Sequence, residues 1–408
     1  MPDRWREVPP TAGLPLQWRD FLPFTGSSLE NGLAAFLHAP VVQIECSGTA
    51  ALIVVLTALK CASTRRSVII PAYTCPLVVL AIAHCGLTPV LCDLRKESFD
   101  LCQRTLDRIV NQDTLAIIPT HLGGRIADVA GVVNIARRHG AWVIEDAAQA
   151  LGAAAGSIGD AAFYSLAAGK GLTLYEGGVL VARDEGLRQS LKETSAQIAP
   201  YRLFRELHRL AQLAAYTALY RPAVLRLAYG IPLRRALRRG CLIEAVGDNF
   251  SSDIPIHKVG AWRCSIGANA LQRLPAFLQT LSEQAAPRKE RLGEIEGIIV
   301  IDDPEGSRGT WPFLMVLMPT ARARDAALAR LWTAGLGVSR LFIHALPDYP
   351  YLAGQLGTID VPNARDFAAR MLTISNSPWL DEADFNRICS ELQNAINLTA
   401  TEATAGAD

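Results

Sequence analysis

Lysine is scarce in this chain. Of 40 lysines and arginines in 408 residues, only six are lysines: Lys60, Lys96, Lys170, Lys192, Lys258 and Lys289. Long apolar runs are missing as well. No stretch reaches about 18 uninterrupted apolar residues, which argues against a membrane-spanning helix. The opening MPDRWREVPPTAGLPLQW holds no apolar segment of the kind a secretory signal needs, so a cytoplasmic location is expected. The nine cysteines are odd in number and scattered, with no C-x-x-C pair and no His/Cys cluster at zinc spacing. They read as reduced, buried thiols, and no metal site is expected. No G-x-G-x-x-G follows a predicted strand, which weakens a nucleotide-binding oxidoreductase. A formal net charge of +1 excludes a global footprint for nucleic acid.

Half of the residues are hydrophobic and 19% are charged, so the chain can bury a large core. Short apolar runs at Val41–Cys46, Ser67–Pro71, Thr88–Leu94 and from Leu115 alternate with apolar helical segments of about ten residues. That alternation predicts a parallel, helix-covered α/β sheet. After the first run, Ser47-Gly48-Thr49 opens an apolar helix. A small-residue turn at a helix N-terminus presents unpaired N–H groups and the positive dipole end, which suit a phosphate or merely an N-cap.

The chain is organised around Ala141 to Gly178, AWVIEDAAQALGAAAGSIGDAAFYSLAAGKGLTLYEGG. The apolar run Ala141–Ile144 reads as a buried strand, and it ends in Glu145-Asp146. In an open parallel sheet, ligands bind outside the carboxyl ends of strands, so an acid there points into a crevice. Lys170 follows between Gly169 and Gly171. Its apolar, glycine-flanked setting can strip water from the ammonium and lower its pKa, making it a candidate imine-forming nucleophile; a snorkelling surface lysine is the plain alternative.

These segments, EDAAQALGA, GDAAFYSLAAGKGL and EGG, resemble the DegT-type sugar aminotransferases, a branch of the fold-type-I pyridoxal 5'-phosphate (PLP) enzymes. The resemblance implies a mostly parallel large domain and a smaller C-terminal α+β domain. It implies that Lys170 binds PLP covalently and moves a proton, Asp146 faces the pyridine nitrogen, and Gln149 meets the phenolic oxygen. Ser165, Gly48 and Thr49 would hold the phosphate. Cys75 stands where the family commonly has an aromatic ring stacked on the cofactor, and Tyr73 is a substitute. His121 in Thr-His-Leu-Gly-Gly and Arg263 in Arg-Cys-Ser match positions near the substrate side, although a strand-end histidine also serves structurally. Ala261 replaces the asparagine that reaches a partner subunit's phosphate.

The implied activity moves an amino group from glutamate or glutamine to a keto group, on a nucleotide-activated sugar or a related intermediate. A lyase, decarboxylase or desulfurase using PLP, a lipid-linked or natural-product ketone as acceptor, and a non-catalytic regulator are the alternatives. A homodimer is implied. The expected division is an N-terminal arm over 1–40, a PLP-binding domain over 41–290, a small domain over 291–398 and a disordered tail over 399–408.

One region lies outside the likeness. Tyr201 to Gly240 holds nine arginines and one glutamate among leucine, alanine and aromatic residues, inside a helical insertion at about 195–250. Pro222 and Pro232 divide it into two or three helices. An amphipathic hairpin with its arginines in water is the preferred reading, and a face for an anionic membrane or an acidic partner is the other.

Overall fold

The computed structural model describes residues 5–23, 26–357 and 359–405. Seven strands, β1 (Gln43–Glu45), β2 (Ser67–Pro71), β3 (Thr88–Cys92), β4 (Thr114–Ile117), β5 (Trp142–Asp146), β6 (Ala161–Ser165) and β7 (Gly178–Ala182), form one sheet. Their order is β1-β7-β6-β5-β4-β2-β3. Neighbours from β3 across to β6 run parallel, whereas β7 runs antiparallel to both β6 and β1. Strands β2, β4, β6 and β7 are buried along their whole length. A sheet covered on both faces requires such continuous apolar strands rather than alternating ones. The helix Gly48–Cys61 is apolar nearly all round for the same reason, with ten of its 14 residues buried.

Strand β6 was not legible as a strand, because AAFYS has neither β-branched residues nor apolar–polar alternation. It places Ser165 beside the end of β5, with Phe163 paired to Asp146. A second sheet, β8 (Ile299–Val300), β9 (Phe313–Leu317), β10 (Val338–Ser339) and β11 (Met371–Ser375), has the order β10-β11-β9-β8 and is antiparallel throughout. The extended arm threads between these parts. Val8 N–H bonds Gly335 O, Ala12 N–H bonds Pro312 O, and Leu14 N–H bonds Gly171 O, so it touches both the second sheet and the lysine loop.

Two helices follow His257, Ala261–Leu271 and Leu274–Gly293. Pro275 sits at the start of the second, where its missing N–H breaks no helical bond. The insertion forms helices Leu203–Leu219, Pro222–Leu225, Ile231–Arg238 and Leu242–Val246, with a π-helical stretch over Arg226–Gly230. Pro222 starts a helix, as read from sequence. Pro232 ends none, since the wide π-turn before it leaves the residue at a helix start. The final helix runs Glu382–Ala405, which corrects the disordered tail expected from 399. Alanine and glutamate favour continued helix there; residues 406–408 lie outside the described residues. Among the described residues, no helix is long and apolar enough to cross a membrane.

Candidate active site

The C-terminal ends of β4, β5 and β6, the helix start at Gly48 and the lysine loop enclose a cavity of about 600 Å³. Its lining includes Gly48, Thr49, Cys75, Asp146, Gln149, Ser165 and Lys170, seven residues singled out from sequence. A larger groove of about 740 Å³ along β1 and the helix Glu185–Ile198 contains none of them.

Asp146 closes β5 at 3% exposure. Its Oδ1 accepts the Ala148 N–H at 3.0 Å, and among the described residues no protein donor reaches the other oxygen. Burial raises its pKa to about 6, opposed by the Ala148 N–H and by Lys170. Across the cavity burial also lowers the Lys170 ammonium below its ordinary value, opposed by Cys75 and Asp146. Lys170 itself is partly exposed, toward the cavity it lines. Gln149 accepts the Gly123 N–H on Oε1 at 2.8 Å, which leaves its NH2 group as the end free to donate.

The Gly48 end of the cavity is built by close approach. Ser47 caps the helix by accepting the Ala50 N–H at 2.9 Å, and the first-turn N–H groups of Gly48 and Thr49 have no helical partner. A Cβ on Gly48 would stand 3.2 Å from Ser165 Cβ, so a glycine is what lets the helix start and Ser165 share one pocket. A desolvated lysine, a buried carboxylate with a free oxygen and a helix N-terminus beside a serine fit the carbonyl, ring nitrogen and phosphate of PLP.

Three residues expected near the substrate are turned elsewhere. Tyr73 is buried, hydrogen-bonded to Phe342 O and packed edge-on against Phe342 and Phe367, because a buried phenol needs a partner that the core supplies. His121 donates from Nε2 to Glu145 at 2.9 Å, while its Nδ1 accepts the Ala127 N–H, so both ring nitrogens are satisfied structurally. Arg263 is fully buried and paired through two nitrogens with Glu206 at 2.7 and 2.8 Å, and it also donates to the Leu174 and Glu176 carbonyls. None of the three lines the cavity. The acid Glu145 beside Asp146 is likewise structural. Burial pushes its pKa up, but His121 and the N–H groups of Gly159 and Gly156 more than offset this and hold it below the ordinary value.

Cys75 caps the helix Pro76–His84 at the cavity wall. Burial pushes its thiol up to about 12, so it is protonated at neutral pH and offers no thiolate for sulfur chemistry. The rings that do line the cavity are Phe163, Phe250 and Phe342.

Sequence reasoning missed what the insertion does here. Its tail contributes Val246, Gly247, Asp248 and Phe250 to the wall, and the residues that follow add Ser251, Asp253, Ile254 and Pro255. Asp248 accepts from Ile343 N–H and from the Tyr349 hydroxyl at 2.6 Å, tying that tail to the segment that carries Phe342. Farther up, Tyr216 and Tyr220 stack at 4.8 Å. Gly169, held at φ +77°, donates its N–H to the Tyr216 hydroxyl at 3.2 Å, and Tyr220 donates to Thr11 O. The insertion thus braces the loop of Lys170 from behind. No residue type or spacing in the insertion could have disclosed this without its partners.

This architecture and constellation define a fold-type-I PLP-transferase fold. Residues 24–202 and 255–393 match the profile of the DegT/DnrJ/EryC1/StrS aminotransferase family, leaving out the insertion. The chain belongs to that family and is an aminotransferase; the family is PLP-dependent. The spore coat polysaccharide biosynthesis protein SpsC of Bacillus subtilis is 26% identical over 383 residues, spanning 90% of this chain and 88% of that protein. A GDP-perosamine synthase of Caulobacter vibrioides is 37% identical over 155 residues, 36% of this chain and 42% of that protein. Among solved structures, the apo form of the putative sugar aminotransferase Spr1654 from Streptococcus pneumoniae superposes with a TM-score of 0.74 at 19% identity, covering 98% of this chain and all of that one.

Proposed function

We propose that the chain binds PLP through Lys170 and moves an amino group from glutamate or glutamine to a keto group on a sugar or related biosynthetic intermediate. The observation that carries this reading is Lys170, desolvated, facing the buried Asp146 across a cavity whose far end is a helix N-terminus beside Ser165. The sugar acceptor is supported by relatives named for it, such as GDP-perosamine synthase and a dTDP-4-dehydro-2,3,6-trideoxy-D-glucose 4-aminotransferase. The division into a large domain over 41–290 and a small one over 291–398 belongs to the same reading. So do a homodimer, since sites of this fold are commonly completed by a second copy, and work in the cytoplasm.

PLP, when bound, supplies an electron sink that makes the donor's Cα–H acidic. Lys170 offers an uncharged Nζ more readily than a solvated lysine, so this nitrogen can attach a carbonyl and later take up and return a proton. Asp146 keeps a free carboxylate oxygen for an N–H donor on the ring, and at a pKa of about 6 it is mostly ionised at neutral pH. The Gln149 NH2 is oriented to donate to an oxygen, and Ser165 with the Gly48 and Thr49 N–H groups accommodates the phosphate.

The test is the absorbance of purified protein with PLP, before and after glutamate, for wild type and Lys170→Ala. A lysine-linked band that converts to a pyridoxamine-like band in wild type only is the expected result. No lysine-linked band in wild type would end the catalytic reading. A fully active monomer on size-exclusion with light scattering would end the dimer reading.

A further inference from the structure

The helix Leu203–Leu219 of the insertion is apolar on the side where a surface helix is ordinarily polar. Its inner side buries Glu206, Leu213 and Thr217. Of its exposed residues only His208 is polar; the others run from Leu203 and Phe204 through Leu207, Ala211 and Ala215 to Leu219. Steps of three and four residues from Phe204 to Leu207, Ala211 and Ala215 keep these side chains on one face. Phe204, at 88%, is the most exposed large hydrophobic residue among the described residues. A helix that is apolar on its packed side and again on its open side still lacks a cover.

The cations around this strip lack partners. Of the nine arginines in Tyr201 to Gly240, Arg209 is ion-paired with Glu176 and Arg234 with Glu7, and among the described residues no carboxylate lies within ion-pair distance of the other seven. Arg202 and Arg205 stand at the start of the helix, and Arg221 and Arg226 just past its end. Arg226 lies over the ring of Trp5, 4.6 Å from its centroid, and Trp5 is itself exposed. The one glutamate of this region, Glu206, is buried and paired with Arg263. In a chain of net charge +1 this is a local concentration of positive charge, and it brackets an apolar strip about 25 Å long at about 1.5 Å per residue.

We infer that this face rests on an anionic phospholipid surface, with Phe204 and Leu207 at the acyl-chain boundary and the unpaired guanidinium groups on headgroup phosphates. Arginine binds phosphate oxygens in pairs through its planar fork. Phenylalanine, leucine and tryptophan beside basic residues are what an interfacial helix brings to a bilayer. The occupant must offer apolar surface and anionic groups side by side along the whole strip, and the headgroup boundary of a bilayer does so at every point. A second copy of the chain does not supply that charge. Docked face to face in a two-fold pair it would bring the same arginines to this patch. Another apolar set is open to a copy, since Trp18, Leu22 and Trp262 are exposed around the helix Ala261–Leu271, whose Asn269 holds the Asp20 and Leu22 carbonyls.

The experiment is co-sedimentation of the full chain, purified with PLP, with vesicles of phosphatidylcholine containing about one third phosphatidylglycerol and with vesicles of phosphatidylcholine alone. Binding about tenfold or more tighter to the anionic vesicles, weakening as salt is raised, is expected. No binding to the anionic vesicles, or equal binding to both compositions, overturns the inference. Two variants locate the face: Phe204→Ser with Leu207→Ser, and separately Arg202→Gln with Arg205→Gln and Arg221→Gln. Each should weaken binding to the anionic vesicles by about tenfold or more, while circular dichroism and the mass from light scattering stay as in wild type. Unchanged binding in either variant overturns the inference. A fall in mass on Phe204→Ser with Leu207→Ser assigns the face to a second copy, and capture of wild type by polyglutamate without vesicle binding assigns it to an acidic protein; both outcomes overturn the inference as well.

Discussion

Asp146 should weaken the protein that lacks cofactor. Its folded pKa is raised from 3.8 to about 6, with burial the largest cause. An acid whose folded pKa is raised is held by the fold more readily when protonated, so its ionisation opposes folding. The penalty is absent below the unfolded pKa, grows as pH rises through the window from about 4 to 6, and is complete above it. Roughly two pKa units at 1.36 kcal/mol each give about 3 kcal/mol at pH 8. Asp146→Asn keeps an oxygen for the Ala148 N–H and removes the charge. Urea unfolding of the PLP-free proteins should therefore show the variant about 3 kcal/mol more stable at pH 8, with the two curves converging near pH 4. Adding PLP should reverse the order, because a buried carboxylate is relieved only when a cationic N–H comes to it. Equal stability at pH 8, or a gap that does not close on acidification, would refute the account of Asp146 as a desolvated acid kept for a ligand.

Three further outcomes follow from particular contacts. Arg263→Leu strands Glu206 without its partner in the interior and should cost about 3–5 kcal/mol in denaturant unfolding, most of it recovered when Glu206→Leu is added. Tyr216→Phe takes away the acceptor of the Gly169 N–H; a loss of about 1 kcal/mol in stability with a fall in kcat larger than any change in the glutamate KM is expected from steady-state kinetics. Gly48→Ala brings a methyl to 3.2 Å from Ser165 Cβ and should weaken PLP about tenfold in equilibrium dialysis while thermal unfolding without PLP changes little.

That Asp146, Gln149, Ser165 and Lys170 gather around one cavity was foreshadowed by their lying within one continuous segment with a strand end at its start and a glycine-flanked loop at its end. Gly48 and Thr49 were readable for a similar reason, since a helix start announces itself in its capping residues. Tyr73, His121 and Arg263 went the other way. Each is set by a partner far along the chain: Phe342 for Tyr73, Glu145 for His121 and Glu206 for Arg263. A polar side chain near a site in sequence goes wherever its hydrogen bonds can be completed, and here the interior completed them first. Strand β6 escaped because AAFYS has neither β-branched residues nor alternation; its pairing with β5 and β7 makes it a strand.

The insertion bears on more than its own surface. Its outer side is not the purely charged one expected for an amphipathic segment with its arginines in water, since large apolar side chains are exposed there, Phe204 at 88%. Its inner side is joined to the site at three levels. Glu206 neutralises the arginine that holds the carbonyls of Leu174 and Glu176, at the end of the lysine loop. Tyr216 and Tyr220 clamp the middle of that loop and the N-terminal arm. Asp248 and Phe250, with the residues that follow to Pro255, line the cavity, and Asp248 is tied to the segment bearing Phe342. A segment added only for docking would leave the loop of Lys170 satisfied without it. Here the loop's backbone donor at Gly169 and its carbonyl clamp at Arg263 both end on the insertion. The added helices and the loop of Lys170 therefore share their hydrogen bonds, and a change in the insertion is felt at the position of the lysine.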